Sequence, residues 1–291
     1  MISSDTAHPE TSFGDLLRDW RRRRRVSQLG LASEAEISQK HLSFIESGRS
    51  RPSREMVLHL AEQLELPLRE RNRLLLAAGY APVFRQRAAD DPAMREAMAA
   101  VEIVLRAHEP YPALAIDRAW TLRAANRMVP ALIGPVAPHL LQPPVNVIRL
   151  SLHPEGLAPR IRNLPVWRAH VLARLRRSAD LSGDPALAAL HAELAALPAG
   201  GPPPRGADAA ASLALTVRLD APDGTPLALV TTVTVFGTPH DIGLEDLAIE
   251  TLLPADPATA AALRRLHREQ VEPTAAPDGQ AAGVTSRPPR A

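Results

Sequence analysis

The sequence predicts a small all-helical domain followed by an α+β domain. Helical spacing of apolar residues recurs at the front of the chain, and near residue 112 the pattern changes to strands mixed with helices. A length of 291 residues leaves room for two hydrophobic cores. We divide the chain into a disordered N-terminus (1–11), a helical domain (12–80), a linker and connector helix (81–109), an α+β domain (110–268) and a disordered tail (269–291).

Five short helices are predicted in the first domain. The first covers about residues 12 to 24, because apolar residues recur from Phe13 at i, i+3, i+4 and i+7. A proline, Pro67, opens the fifth, which ends before Gly79. Serine side chains accept hydrogen bonds from free backbone N–H groups at helix starts. The predicted N-caps of the three middle helices are Ser27, Ser38 and Ser53.

The second domain mixes both periodicities. A helix begins at Pro92, two short strands flank a turn at Asp117, and Asp223-Gly224 marks a hairpin. A last helix is capped by Asp256. The remaining predicted elements are helices at 126 onward, 166–177 and 185–196, a turn-rich loop at 198–207, and strands at 211–219 and 227–236.

Composition excludes several classes of protein. The chain has no cysteine, so it has neither disulfides nor thiolate metal sites. It has no apolar run of membrane-helix length, and its start lacks a secretory signal, which predicts a cytoplasmic protein. The net charge is only +2, yet six of the eight residues from Arg18 to Arg25 are arginine. A local field of this strength favours a polyanionic partner.

Two glutamines carry the spacing of a helix-turn-helix unit. Gln28 and Gln39 stand eleven residues apart, each directly after a serine cap. In such a unit the second helix lies in the major groove of DNA, with its first turn at the base edges. The predicted base contacts are Gln39, Lys40, Ser43 and Phe44. The predicted phosphate contacts are Gln28, Arg49, Arg51, Arg24 and Arg25.

Longer motifs resemble a known family. "SQLGLA" from Ser27 and "HLSFIESGRSRPS" from His41 are similar to the XRE-type, lambda-repressor-like DNA-binding domain. The stretch from His41 to Pro82 resembles, more narrowly, the MmyB-like transcription regulators. Three further segments extend that resemblance into a PAS-like ligand-binding region: "PALAIDRAWTLRAAN", "LHPEGLAPRIRN" and "TTVTVFGTPHDIGLEDLAIETLLPAD".

The resemblance implies a sensor for a small apolar, fatty-acid-like ligand. Its predicted pocket residues are Trp120, Leu122, Asn163, Trp167, Arg174, Val233, Val235 and Phe236. Two departures from the family pattern weaken the DNA-binding domain. Glu36 stands where glycine is usual, and a left-handed backbone there costs about 1 kcal/mol more. Gly30 destabilises the second helix by up to about 1 kcal/mol relative to alanine.

No enzyme site emerges from the sequence. His240-Asp241 resembles a metal-binding pair, but it follows a turn and lacks further ligands, so a structural turn is the better interpretation. Glycine loops for phosphate and a Gly-x-Ser-x-Gly elbow are absent. We therefore predict no catalytic residues, no metal and no cofactor.

These features together predict a bacterial, ligand-responsive transcription regulator. One short reading helix offers too little interface for tight selective binding, which predicts a homodimer on a pseudo-palindromic double-stranded operator. Two alternatives stay open. One is a helical, antitoxin-like protein-interaction module without direct DNA readout. A weaker one is an enzyme acting on an acyl or nucleotide substrate.

Overall fold

The computed structural model describes residues 12 to 88, 90 to 198, 216 to 235 and 241 to 271. The first domain contains five helices, as predicted. They are α1 (Phe13–Arg23), α2 (Gln28–Glu34), α3 (Gln39–Glu46), α4 (Arg54–Gln63) and α5 (Leu68–Ala77).

Serine caps fix the starts of the three middle helices. The Ser27, Ser38 and Ser53 hydroxyls accept hydrogen bonds from the backbone N–H three residues onward, at 2.9, 3.1 and 3.2 Å. Each cap satisfies one N–H that the helix leaves unpaired, which stabilises the helix by about 1 kcal/mol. The three predicted caps are therefore confirmed.

Leucines from every helix form the core of this domain. Leu17, Leu31, Leu42, Leu60 and Leu75 are completely buried. Full burial of one such side chain contributes about 1.5 to 3 kcal/mol. Truncating any of them to alanine would cost about 2 to 5 kcal/mol, because a cavity is left behind.

The turn between α2 and α3 adopts the strained conformation anticipated from the sequence. Glu36 has a φ of 53°, in the left-handed region that favours glycine. The Glu36 N–H still bonds to the Ser33 carbonyl at 3.2 Å, and the Ile37 N–H to the Ala32 carbonyl at 2.9 Å. These turn hydrogen bonds hold the angle between the two helices despite the strain.

The second domain is α+β. Its helices are α6 (Pro92–Ala107), α7 (Met128–Ile133), α8 (Val147–Leu152), α9 (Leu164–Ser182), α10 (Pro185–Ala195), α11 (Ile242–Glu245) and α12 (Pro257–Val271). Its strands are β1 (Ala113–Ile116), β2 (Leu122–Ala125), β3 (Thr216–Asp220), β4 (Pro226–Val235) and β5 (Ala248–Pro254). Two short 3₁₀ turns lie at Pro138–Leu141 and Ala158–Arg160.

All five strands form one antiparallel sheet in the order β2-β1-β5-β4-β3. The predicted α+β class of this domain is confirmed. The hairpin turns at Gly224, whose φ is 83°. Strand β5, at the centre of the sheet, was not predicted.

The helix predicted as a connector also covers one face of the sheet. Val101 and Leu105 of α6 are buried against Ala113, Ala115 and Ile249. Helices α7 to α10 and α12 pack with the remaining strand residues in two larger clusters. Helices therefore cover parts of both sides of the sheet, although the far end of β4 is exposed, and one of these sides holds an apolar cavity.

Several predicted features lie outside the described residues. They are the two chain ends at 1–11 and 272–291, most of the 198–207 loop, the first half of the 211–219 strand, Phe236 and His240. Within the described ranges, no helix is long and apolar enough to cross a bilayer.

Candidate DNA-reading surface and ligand cavity

Helix α3 has a packing side and a free side. Leu42 and Ile45 are 0% and 1% exposed and contribute to the core. Gln39 and Lys40, in the first turn, are exposed, whereas Ser43 and Phe44 are half-buried. The predicted division of this helix into an inward side and an outward side is present in the structure.

Two cations flank the Phe44 ring. The Lys40 Nζ lies 5.6 Å from the ring centroid, and the Arg49 guanidinium lies 5.9 Å from it. Each cation–π contact at an exposed site contributes about 0.5 to 1 kcal/mol. The ring therefore restricts the long Lys40 side chain before any partner arrives.

Glu46 lies at the centre of a buried polar cluster that sequence reasoning missed. The Arg21 Nε and Nη2 donate to its two carboxylate oxygens at 2.6 and 3.0 Å, and the Gln28 Nε2 donates at 3.1 Å. The Arg18 Nη2 donates to the Glu46 carbonyl at 2.6 Å. The hydrogen bond to Glu46 raises the pKa of Arg21. The cluster ties α1 to the end of α3.

The arginine-rich stretch therefore divides between two environments. Arg18 and Arg21 turn inward to Glu46. Arg24 donates to the Glu65 carbonyl at 2.7 Å, and together with Arg25 it lines a cleft against the second domain. Both predicted phosphate contacts at this end of α1 thus lie beside the second domain.

The loop after α3 is held by Arg51. Its Nη2 donates to the Ala78 carbonyl at 3.1 Å, and its guanidinium lies 5.6 Å from the Tyr80 ring centroid. The Tyr80 hydroxyl in turn donates to the Pro52 carbonyl at 2.9 Å. Arg51 is exposed, as is Arg49, so both guanidiniums still reach the surface beyond α3.

The second domain caps a helix of the first. Pro67 precedes α5 and offers no side-chain cap, and the free Leu68 N–H donates to both Glu245 carboxylate oxygens, at 3.1 and 2.8 Å. Burial raises the pKa of Glu245, although the hydrogen bond from Leu68 acts in the opposite direction. Two ion pairs reinforce this junction: Arg69–Asp246 at 3.1 Å and Arg87–Asp241 at 3.2 Å.

A cavity of about 130 Å³ lies between the sheet and helices α7, α8 and α9. Its walls are mostly apolar, with Leu114, Leu229 and Leu252 from the sheet and Val129 and Ile148 from the helices. An apolar cavity of about 150 Å³ is large enough to hold benzene. The present cavity is slightly smaller, so a molecule of about benzene size is the upper limit of what fits without rearrangement.

One part of the cavity wall is polar. The Arg174 Nη1 donates to the Glu250 Oε1 at 2.5 Å, and its guanidinium stacks 4.1 Å from the Trp120 ring centroid. Trp120 has a φ of 63°, which is a strained conformation for an aromatic residue. Burial, and secondly the charge of Arg174, lowers the pKa of His170, which also lines the cavity.

Three of the predicted pocket residues line this cavity: Trp120, Trp167 and Arg174. The other described ones lie elsewhere. Leu122 packs partly buried beside the core, and Asn163 fastens β3 through the Thr216 carbonyl and the Arg218 N–H, both at 2.9 Å.

Val233 and Val235 are 43% and 63% exposed. They lie on the same face of β4 as Leu229 and Thr231, which line the cavity, but farther along the strand. The cavity therefore reaches only part of this strand face. Sequence reasoning missed His170 and Glu250, which line the cavity beside Arg174.

Within the described residues, one trio places metal-ligand atoms close together. His139, His153 and Glu155 bring one such atom each within 4.8 Å at the surface. The His153 Nδ1, however, accepts a hydrogen bond from the Glu155 backbone N–H at 3.1 Å. The expectation that the chain holds no metal stays a prediction.

Comparison with protein families supports both domains. The MmyB-like transcription regulator ligand binding domain matches residues 97 to 266, and a helix-turn-helix domain matches residues 12 to 74. A comparison with curated proteins finds no match.

One solved structure, an RNA-binding Light-Oxygen-Voltage receptor, is similar over 90% of this chain at 14% identity with a TM-score of 0.28, a score too low to carry an argument. The chain spans 63% of the length of that protein. The ligand-binding family, in contrast, covers more than half of the chain, directly after the helix-turn-helix domain. The protein therefore belongs to the MmyB-like transcription regulators, which are DNA-binding regulators with a ligand-sensing domain.

Proposed function

We propose that helix α3 reads operator DNA and that an apolar ligand in the cavity controls this binding. The observation that carries the proposal is the two-sided α3, with Gln39 and Lys40 exposed opposite the buried Leu42 and Ile45. Gln39 is suited to pair bidentately with adenine, and Lys40 to donate to guanine. Ser43 and Phe44 support them one turn later.

Phosphate contacts position α3 in the groove. We assign them to Gln28, Arg49 and Arg51, which lie at the start of α2 and in the loop after α3. The Gln28 Nε2 donates one of its two hydrogens to Glu46, so its second hydrogen and the free backbone N–H groups at the start of α2 are the donors left for phosphate. Arg24 and Arg25 line the cleft between the domains and are not among these contacts.

The reading helix has eight residues, which limits the contact area of one protomer. We propose a homodimer on a pseudo-palindromic site, acting in the cytoplasm, because two such helices double the interface. Native mass spectrometry of the purified protein tests this point and reports any bound ligand. A ligand-free monomer would contradict the dimer and the sensor together.

The ligand we propose is small and apolar with one polar end. The apolar walls select its body, while Arg174 offers a charge-assisted hydrogen bond to its end. The cavity is smaller than the roughly 300 to 1,000 Å³ of usual ligand sites. A fatty-acid-like chain would therefore have to displace packed side chains, whereas an aromatic or short branched molecule would not.

The route from the cavity to the DNA-binding domain is short. Glu250 of β5 lines the cavity, and α11 directly precedes β5 and supplies Glu245, the cap of α5. We expect Glu245→Ala to make DNA affinity independent of the ligand recovered by mass spectrometry. Glu245→Gln, which keeps an acceptor oxygen, is the matched control. An unchanged ligand response in the alanine variant would contradict this route.

Two variants on either side of Phe44 test the DNA-reading surface. Lys40→Ala should relax specificity at one base pair at a cost of about 1 to 3 kcal/mol. Arg49→Ala should weaken binding to all sequences alike and lower the salt slope by about one. Fluorescence anisotropy on a selected operator and on random duplex DNA measures both. If the two variants behave identically on both DNAs, α3 does not read bases, and the protein-interaction alternative gains support.

A further inference from the structure

A second, larger concavity lies between the two domains. It has a volume of about 750 Å³ and is formed by the C-terminal end of α1 and by helices α9 and α10. This volume falls in the range of sites for small organic molecules. It is separate from the apolar cavity, since the two share no lining residue.

The charge of this cleft is strongly one-sided. Five guanidiniums line it, against the single carboxylate of Asp180. Among the described residues none of these five arginines forms an ion pair within 4 Å. Other arginines of the chain do pair with a carboxylate, as Arg21, Arg69, Arg118 and Arg174 show. The five are Arg23, Arg24 and Arg25 from the first domain and Arg176 and Arg177 from the second. Positive charges gathered in a concave surface raise the local concentration of anions.

Two of the first-domain arginines, Arg23 and Arg24 at the end of α1, are held by contacts. The Arg23 guanidinium lies 5.2 Å from the Trp20 ring centroid and packs directly against Gly183, at the end of α9. Arg24 donates to the Glu65 carbonyl, and its Nε is buried without a partner among the described residues. Arg25 adopts a left-handed backbone, with a φ of 58°. This conformation belongs to the turn that ends α1, in which the Val26 N–H donates to the Arg21 carbonyl and the Arg25 N–H donates to the Arg22 carbonyl.

The floor of the cleft is apolar. Leu172 and Leu181 of α9 line it together with Ala169, Ala173 and Ala195, and Leu181 is 45% exposed. An inorganic anion would leave this surface uncovered, whereas an organic anion covers it and gains hydrophobic contact.

We propose that the cleft binds a phosphate-bearing organic anion of about nucleotide size. Its phosphates would take charge-assisted, bidentate hydrogen bonds from the arginines, and its body would lie on the leucine and alanine floor. Because the arginines come from both domains, the bound anion holds the DNA-binding domain against the sensor. This site does not depend on the ligand proposed for the apolar cavity.

Isothermal titration of the full chain with ATP, and separately with inorganic triphosphate, tests the site in the absence of divalent cations. We expect both to bind, ATP more tightly, and the double variant Arg176→Gln/Arg177→Gln to raise the Kd of both by about tenfold or more. The matched control is Arg264→Gln/Arg268→Gln, which removes two exposed arginines from α12, outside the cleft. The control should leave both affinities unchanged.

Three results would overturn the proposal. One is the absence of binding by either anion, and another is an equal loss in the cleft and control variants. The third is a lower salt slope for random duplex DNA in Arg176→Gln/Arg177→Gln, which would make the cleft a DNA phosphate surface instead. Equal affinity for ATP and triphosphate would mean that the cleft binds phosphate groups alone, which would contradict the claim that it recognises an organic anion.

Discussion

Two of the arginine–glutamate pairs, Arg21–Glu46 in the first domain and Arg174–Glu250 in the second, are built differently. In the DNA-binding domain, Arg21 holds both oxygens of Glu46, whose side chain is 4% exposed, and Gln28 adds a third hydrogen bond. In the sensor domain, Arg174 makes one hydrogen bond to Glu250, and the two side chains are 33% and 13% exposed.

The difference separates a fixed pair from an exchangeable one. Both oxygens of the Glu46 carboxylate accept hydrogen bonds from inside the protein. The pair therefore holds α1 against α3 and does not need a further partner. Within the described residues, the Glu250 carboxylate accepts a single hydrogen bond, and it faces the cavity beside the guanidinium that stacks on Trp120. We therefore propose that a ligand with a polar end replaces Glu250 as the partner of Arg174.

The largest expected effect comes from breaking the fixed pair. Glu46→Ala leaves the Arg21 guanidinium largely buried without a partner carboxylate, which typically costs 3 to about 5 kcal/mol. Urea unfolding of the full chain, followed by circular dichroism, measures the loss in the helical domain. Glu55→Ala, on exposed surface of α4, is the control and should change little. A loss below about 1 kcal/mol would contradict the structural role of the pair.

A smaller effect is expected at the exchangeable pair. Arg174→Met keeps much of the side-chain volume but removes the cation–π contact with Trp120 and the hydrogen bond to Glu250. We expect a loss of about 1 to 2 kcal/mol in the unfolding free energy of the sensor domain. Tryptophan fluorescence during urea unfolding reports it. A loss as large as that of Glu46→Ala would mean that Arg174 is a structural residue, and ligand exchange at Arg174 would then be the wrong interpretation.

Features with local sequence signals could be predicted, whereas contacts between residues distant in sequence could not. Helix α3 was predicted to the residue at its start because its signals are local: a serine cap and the offset from Gln28. The role of Glu46 was not predicted, because its partner Arg21 lies 25 residues away in the sequence and no local pattern marks the two residues as a pair.

The sheet was only partly predicted for a related reason. Strand β5 reads "AIETLLP", in which glutamate and leucines suit a helix as well as a strand, so only its neighbours β1 and β4 make it a strand. Val233 and Val235 lie on the face of β4 that borders the cavity, as their alternation in the sequence predicts. They are still not cavity residues, because the sequence does not show how far along the strand the cavity extends. Trp120, Trp167 and Arg174 reach the cavity because elements distant in sequence meet there.

The smallest expected effect is a pH dependence at the cavity. The pKa of His170 lies below its ordinary value of 6.5, chiefly because of burial and secondly because of the charge of Arg174. Between the lowered pKa and 6.5, the unfolded chain binds a proton at His170 that the folded chain does not. The free energy of unfolding therefore falls as the pH drops below 6.5 through this window.

Urea unfolding at a series of pH values measures this slope, and His170→Gln should flatten it in the window. His139→Gln, at an exposed histidine outside the cavity, is the matched variant, and an equal flattening in both variants would contradict the assignment to His170. In Arg174→Met the slope should shrink without vanishing, because burial, the larger cause, remains. If the slope vanished in Arg174→Met, the charge of Arg174 and not burial would be the main cause of the lowered pKa of His170. The protonation of His170 would then depend directly on Arg174 at the polar end of the cavity.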